Sequence, residues 1–187
     1  MVSNTRAPSD RSRYVAELQK YIKVEVIGKD QNIDCPRSQD VNCSADIGRQ
    51  YKFYLAFESS VCSDYITEKL YKYYNLDIVL VVRGTPGYLK VAPRNTFINT
   101  ADFNSPKDLA ERLLYLDSHH EEYIDILKEK SSYFSIYEEY KETDEFLSHR
   151  YEAVSFCHLC HRLWNPDVYR GSVVNVYDWL NKSHCET

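Results

Sequence analysis

Tyr51-Lys52-Phe53-Tyr54-Leu55-Ala56-Phe57-Glu58-Ser59-Ser60-Val61-Cys62-Ser63-Asp64-Tyr65-Ile66-Thr67-Glu68-Lys69-Leu70 is the stretch whose reading decides the fold. Its first half alternates, with Phe53, Leu55 and Phe57 on one face and aromatic or small residues on the other. That pattern predicts a strand buried on both faces. Ser59, Ser60, Ser63 and Asp64 then interrupt it and offer capping chemistry, with Asp64 the expected N-cap of a following helix. From Tyr65 the period turns helical, and Ile66, Leu70, Tyr73 and Tyr74 form the apolar stripe. A strand that feeds straight into a helix N-terminus makes an anion site, because unpaired N–H groups and the positive helix end face the loop. The expected first turn carries a phenol (Tyr65), a carboxylate (Glu68) and an ammonium (Lys69), a set able to hold hydroxyls and phosphates. Periodicity alone is also satisfied by an ordinary strand–turn–helix with a solvated Glu-Lys pair.

Working outward, the upstream segment predicts a helix that Asp10 caps, with Tyr14, Leu18, Tyr21 and Ile22 on one face. Val24 to Ile27 reads as a short strand closed by Gly28, which suits a parallel crossover. Downstream, Ile78-Val79-Leu80-Val81-Val82 is the continuous apolar run of a parallel strand covered on both faces. Arg83-Gly84-Thr85-Pro86-Gly87 turns the chain at that strand's carboxyl end, the edge where ligands gather in open α/β sheets. Thr96 to Asn99 predicts another strand. Ser105 as N-cap and Pro106 at the first helical position open a helix carried by Leu109, Leu113 and Leu116 to about Asp117. A further helix is expected from Glu121 to Lys130, with His119-His120 solvated in the joint between the two. Asp144 to Trp164 reads as a long helix, and Val173 to Leu180 as a segment packing back. The fold class is therefore α/β, built on a parallel sheet.

The chain has 187 residues, 43% hydrophobic and 14% aromatic with 17 Tyr, enough for one domain with a proper core. A formal net charge of −5 without a basic stripe argues against nucleic acid as a partner. No apolar run approaches a bilayer span and no signal peptide opens the sequence. Met1-Val2-Ser3-Asn4 reads as the end of a strand, so the chain is expected to be a piece of a longer protein. Asn42-Cys43-Ser44 and Asn181-Lys182-Ser183 are glycosylation sequons. The six cysteines, Cys35, Cys43, Cys62, Cys157, Cys160 and Cys185, suit staples in an oxidising lumen or metal ligands in the cytosol. Cys157-His158-Leu159-Cys160-His161 is only half a zinc site. There is no Ser-His-Asp arrangement, glycine-rich phosphate loop or HExxH helix.

The opening stretch resembles the donor-binding motif of the α1,3/4-fucosyltransferases, glycosyltransferase family 10, whose usual form is FYLxFENSxxxDYITEKL. Ser59 stands where that family usually has Asn. A strand-end Ser-Asn and a helix-opening Arg precede the motif in the family, and Asn4 and Arg11 match them. The turn at Val81-Val82-Arg83-Gly84 and the segment Asp102-Phe103-Asn104-Ser105-Pro106 also have family counterparts. Tyr133-Phe134-Ser135 departs from a usual Trp-Arg segment. The likeness runs from Val2 to Cys160 and fades over 161–187, read as an extension packing back.

This resemblance implies a single domain over 1–187, the C-terminal, Rossmann-like donor half of a GT-B glycosyltransferase, with the N-terminal acceptor domain and a membrane anchor absent. It implies inverting transfer of L-fucose from GDP-fucose to a GlcNAc hydroxyl of an N-glycan or other glycan, in α1,3 linkage, on the lumenal side of the Golgi membrane. Arg11 and Lys69 would neutralise the leaving diphosphate, a guanidinium being able to hold two phosphate oxygens at once. Tyr65 and Glu68 would bind sugar hydroxyls, Tyr51 would line the nucleotide pocket, and Asn4 and Ser59 complete the donor set. Ser59 replaces an amide by a shorter hydroxyl, so one family hydrogen bond is lost or passes through water. No metal or other cofactor is obligatory, a divalent cation being stimulatory at most. The base belongs to the missing domain and none is assigned, Glu58 being read as a group that orients the loop. The family's C-terminal Cys-x-x-Cys is an oxidised staple, which makes Cys157 and Cys160 the first disulfide candidates; Cys35 and Cys43 are further candidates with no connectivity assigned. The alternatives are a catalytically inactive nucleotide-sugar-binding module and a cysteine-stapled or zinc-bearing interaction domain.

Overall fold

Two short hydrophobic runs, buried along nearly their whole length, organise the architecture. The protein was analysed as a computed structural model that describes residues 10–26, 46–63, 65–135 and 160–165. Strand β1 (Phe53–Phe57) pairs in parallel with β2 (Val79–Arg83), and β2 with β3 (Phe97–Asn99), giving a three-stranded sheet in the order β1-β2-β3. The register sets Phe53 beside Val79, Phe57 beside Arg83, and Leu80 beside Phe97. Parallel strands need crossovers, and β1 reaches β2 through helix α2 (Glu68–Tyr74). Between β2 and β3 the chain makes the 3-10 turns Pro86–Lys90 and Arg94–Thr96.

Because side chains alternate, each strand feeds two cores. Leu55, Phe57, Val79, Val81 and Ile98 face helices α1 (Arg11–Leu18), α3 (Pro106–Ser118) and α4 (His120–Ser131). Tyr54, Ala56, Leu80, Val82 and Phe97 face α2, Tyr88 and the helical residues 46–50. Helices thus cover both sheet faces, the layering expected of an α/β fold with buried parallel strands. On the second face Tyr54 stacks on Tyr73 with centroids 3.9 Å apart, fixing α2 against β1. Helix α3 opens as its sequence dictates. The Ser105 hydroxyl accepts from the Asp108 N–H at 3.2 Å, Pro106 follows, and Leu109, Leu113 and Leu116 are buried.

Several local expectations are corrected. The helix after β1 starts at Glu68 rather than Tyr65, with Thr67 in the N-cap position that Asp64 was expected to fill. The cause is a distant carboxylate, described below. Helix α1 stops at Leu18, which leaves Tyr21 exposed instead of on the buried face. Asp10 precedes it at φ 51° and makes no side-chain cap; its carboxylate pairs with Arg13 at 2.7 Å. Val24 to Val26 form no strand, and the Gln19 side chain donates to the Val24 carbonyl at 2.9 Å. Cys160 starts the helical residues 160–164 as an exposed free thiol, so the Cys157–Cys160 bridge is not formed. Among the described residues Cys62 is disulfide-bonded, to a partner that lies outside them. Asn4, Ile27, Gly28, Cys35, Asn42, Cys43, Asp64, Cys157, Asn181, most of the expected 144–164 helix and the 173–180 segment also lie outside them. Residues 10–135 fall in one compact unit and 160–165 in a second.

One polar anchor was not foreseen. Lys130, near the end of α4, is buried and donates from Nζ to the carbonyls of Leu76 and Ile78, at 2.5 Å each. Desolvation pushes its pKa down to about 8, against the pull of Asp77. A neutral amine keeps two N–H groups for the two carbonyls, so the anchor survives loss of charge. Between about pH 8 and its ordinary range the unfolded chain holds a proton that the folded chain has released, so stability rises with pH across that window. Denaturant titrations at pH 7 and pH 9.5 should show the wild type gaining stability relative to Lys130→Met. An unchanged difference between the two proteins would contradict this.

Candidate functional site

β1 ends and Glu58 follows at once, and what this side chain does sets the site. It is 1% exposed, yet it is a carboxylate. Its Oε1 accepts from the Thr67 backbone N–H at 2.8 Å and from the Thr67 hydroxyl at 3.0 Å. Its Oε2 lies 2.8 Å from the same hydroxyl and 3.2 Å from Lys69 Nζ. Buried charge survives only when paired and hydrogen-bonded, and both conditions are met here. The anion at the start of α2 is therefore the protein's own. The Thr67 side chain makes no cap hydrogen bond to the helix; its hydroxyl donates to Glu58 and accepts from Lys69, and the helix starts at the next residue.

Around that carboxylate the chain assembles a polar cluster at the carboxyl edge of the sheet. Lys69, 17% exposed, also donates to the Thr67 hydroxyl at 2.7 Å and to Glu68 at 3.2 Å. Glu68 sits at the first position of α2. Its partial burial opposes ionisation, but its own backbone N–H, Lys69 and Thr67 outweigh that and hold its carboxyl below the ordinary value. The Ser59 and Tyr65 hydroxyls lie 3.1 Å apart on the rim of the loop. Cys62, which is disulfide-bonded, stands between them in sequence. From the other face Arg11, the first residue of α1 and buried, donates from Nη1 to the Phe57 carbonyl at 3.2 Å. Burial lowers its pKa from the usual value, against Glu58 first and then Tyr65 and Tyr54, whose opposing pulls place them all nearby.

β2 contributes the adjoining turn. The Glu58 N–H donates to the Arg83 carbonyl at 2.8 Å, which carries the ladder one residue past β1. A Cβ at Gly84 would lie 2.7 Å from Tyr88 Oη, 2.9 Å from Glu58 Cγ and 3.0 Å from Glu58 Cβ. Gly84 is thus a close-approach position, as its sequence context suggests, and the neighbours that approach are Glu58 and Tyr88. The Tyr88 hydroxyl is buried without a hydrogen-bond partner among the described residues, and burial first and Glu58 second raise its pKa. Tyr88 and Thr67 went unnoticed in the sequence. A Thr nine residues after a strand-end Glu was the signal for Thr67, and nothing in the sequence singles out Tyr88.

Of the sequence-derived set, the structure brings Arg11, Ser59, Tyr65, Glu68 and Lys69 to one edge, while Asn4 lies outside the described residues. It does not bring Tyr51. That residue precedes β1, roughly 20 Å back along the strand from Glu58. Its hydroxyl donates to Glu25 instead, an interaction that raises its pKa to about 12. There it lines a cavity of about 590 Å³ with Leu18, Ile22, Ile47 and Leu113. The two lysines of that cavity, Lys23 and Lys52, are paired with Glu25 and Asp117. The polar edge is the better candidate site, since ligands of parallel α/β sheets sit at the strands' carboxyl ends.

Residues 1–179 match the family described as Glycosyltransferase family 10 (fucosyltransferase) C-term. Glycoprotein 3-alpha-L-fucosyltransferase A of Drosophila melanogaster is 40% identical over 183 residues, covering 95% of this chain and 33% of that protein. GDP-fucose protein O-fucosyltransferase 3 of Xenopus tropicalis is 34% identical over 197 residues, covering 97% of this chain and 42% of that protein. A crystal structure of an alpha1,3-fucosyltransferase with GDP-fucose superposes with a TM-score of 0.56 at 28% identity, covering 67% of this chain and 36% of that one. The chain spans less than half the length of these relatives.

Removing the central carboxylate should be costly. Glu58→Ala strips Lys69 of a buried partner and leaves the Thr67 N–H unsatisfied, for an expected loss of about 2–4 kcal/mol. The lower part of the buried-pair range applies because Lys69 retains contact with water. Urea denaturation of both proteins measures it, and a loss below about 1 kcal/mol would place the pair among ordinary surface ion pairs.

Proposed function

Since the chain belongs to glycosyltransferase family 10, the fucosyltransferases, we propose that it is the donor-binding part of an enzyme that moves L-fucose from GDP-fucose to a GlcNAc hydroxyl of a glycoprotein glycan, in α1,3 linkage with inversion. The observation that carries this reading is the meeting of Arg11, Ser59, Tyr65, Glu68 and Lys69 around Glu58 at the carboxyl edge of a parallel sheet. The likeness to an alpha1,3-fucosyltransferase solved with GDP-fucose supports the identity of the donor.

Displacement at an anomeric carbon needs two things, neutralisation of the departing diphosphate and removal of the acceptor proton. The cluster supplies the first. Lys69 has its ammonium fixed by three oxygens and still faces solvent, so it meets a diphosphate without reorganising. Arg11 adds a guanidinium from the opposite sheet face. Two helix N–H groups that might have served are already occupied, Thr67's by Glu58 and Glu68's by its own carboxylate. Side-chain cations therefore carry the charge. Tyr65 and Glu68, more exposed than Lys69, are placed to accept and donate at sugar hydroxyls, with Ser59 steadying the Tyr65 phenol. Among the described residues no carboxylate of the cluster is both exposed and free of these duties, and no base is assigned here.

The likeness to a protein O-fucosyltransferase favours a second acceptor reading, a protein hydroxyl in place of a glycan one. The parent protein is proposed to be membrane-anchored on the lumenal side of the Golgi, with Asn42 and Asn181 as glycosylation acceptors. Among the described residues no helix is long and apolar enough to cross a membrane.

Calorimetry tests the donor assignment. GDP and GDP-fucose should bind and UDP-galactose should not; equal affinity for GDP and UDP would refute it. Lys69→Ala or Arg11→Ala should weaken GDP by about 1.5–3 kcal/mol, the range of charge-assisted hydrogen bonds, and weaken GMP much less. With labelled GDP-fucose and either a GlcNAc-terminated glycan or a Ser/Thr-bearing protein domain, the chain alone should yield no labelled acceptor. Transfer well above a Lys69→Ala control would mean that the site is complete within this chain.

A further inference from the structure

We propose that Arg83 is a further donor-contacting residue, a second guanidinium that grips the diphosphate together with Arg11. This rests on the donor reading above and adds to it a residue at a turn position where the family motif specifies no side chain.

Parallel pairing sets Arg83 beside Phe57, so its side chain leaves the sheet on the same face as Phe57 and α1. Three contacts converge on that point. Arg11 donates to the Phe57 carbonyl, Tyr14 packs edge-on against the Phe57 ring at 5.6 Å, and the Arg83 guanidinium lies over the Tyr14 ring at 4.5 Å. Arg11 and Tyr14 are three residues apart on α1 and so share a helix face. Two guanidinium groups thus flank one aromatic pair at the carboxyl edge of β1 and β2. The backbone of Arg83 is fixed by its bond from Glu58, and the stacked ring limits the side chain's freedom.

What marks Arg83 as waiting for a ligand is its hydrogen-bond account. Its Nε is buried and has no partner among the described residues, and the Tyr14 hydroxyl beneath it is in the same condition. Buried donors are nearly always satisfied, so an unpaired guanidinium nitrogen at a ligand-binding edge calls for an acceptor. A planar fork of donors beside a second cation suits the bidentate geometry of a phosphate group, and stacking on an aromatic ring is how such a fork is held ready. Neither feature could be supplied by the aliphatic side chain that a continuous apolar strand would otherwise end on.

The test is calorimetry of the full chain, wild type and Arg83→Leu, with GDP and with guanosine, alongside ligand-free thermal unfolding. Arg83→Leu should weaken GDP about tenfold, as expected for loss of a charge-assisted hydrogen bond, and leave guanosine within about twofold. Arg83→Lys should recover part of the GDP loss, because it restores the charge but not the fork. If Arg83→Leu does not fold, Arg83→Gln, which keeps the stem over Tyr14 and removes the charge, is read in its place. Unchanged GDP affinity in a folded variant overturns this inference and leaves the donor reading standing. Equal losses for GDP and guanosine also overturn it, since the contact would then not be to phosphate. Failure of the wild type itself to bind GDP overturns the donor reading and Arg83 with it.

Discussion

A carboxylate buried at the end of β1 is the constraint on which the rest depends. Glu58 is held by the Thr67 N–H and hydroxyl and by Lys69. Its own N–H closes on Arg83. One residue therefore ties the strand, the N-cap and second residue of α2 and the β2 turn. Burying it is tolerable only because each partner is in place, and loss of one leaves the others in deficit. The same pairing fixes the Lys69 ammonium where a diphosphate would need it. Structure and proposed chemistry share a single electrostatic anchor.

That sharing explains which parts of the fold could be read from the sequence. Strands β1 and β2 and helix α3 were legible because their signals are local: alternation, a continuous Val run, and Ser105-Pro106 ahead of a leucine stripe. The N-terminus of α2 was not. Asp64 looked like the cap, but Glu58 reaches across nine residues to Thr67, and no window of helical period contains that contact. Helix α1 ended early for a comparable reason. The Gln19 side chain turns back to the Val24 carbonyl, so what reads as a strand at Val24 is a tethered coil.

Much of the candidate site was visible through the motif, since Arg11, Ser59, Tyr65, Glu68 and Lys69 meet as that resemblance implies. Tyr51 was misplaced because proximity in sequence to the motif hides a strand's length, which carries it to the other end of the sheet. The bond at Cys62 was not legible because spacing alone names no partner for it, and its partner lies outside the described residues. Arg83 reads in the sequence as a charged residue ending an apolar run. Only the register, which sets it beside Phe57, and the Tyr14 ring beneath it reveal its surroundings.

The contact at Gly84 also bears on how this edge can drift over generations. The space a methyl group would need there is taken by the Tyr88 hydroxyl and by the stem of Glu58. Phe at 88 would clear the hydroxyl but leave Glu58 Cγ and Cβ at 2.9 and 3.0 Å, so a side chain at 84 needs both neighbours to give way. Trimming Glu58 would release Lys69, so that route passes through an ancestor with a damaged anchor. No single change elsewhere opens position 84, and glycine persists there.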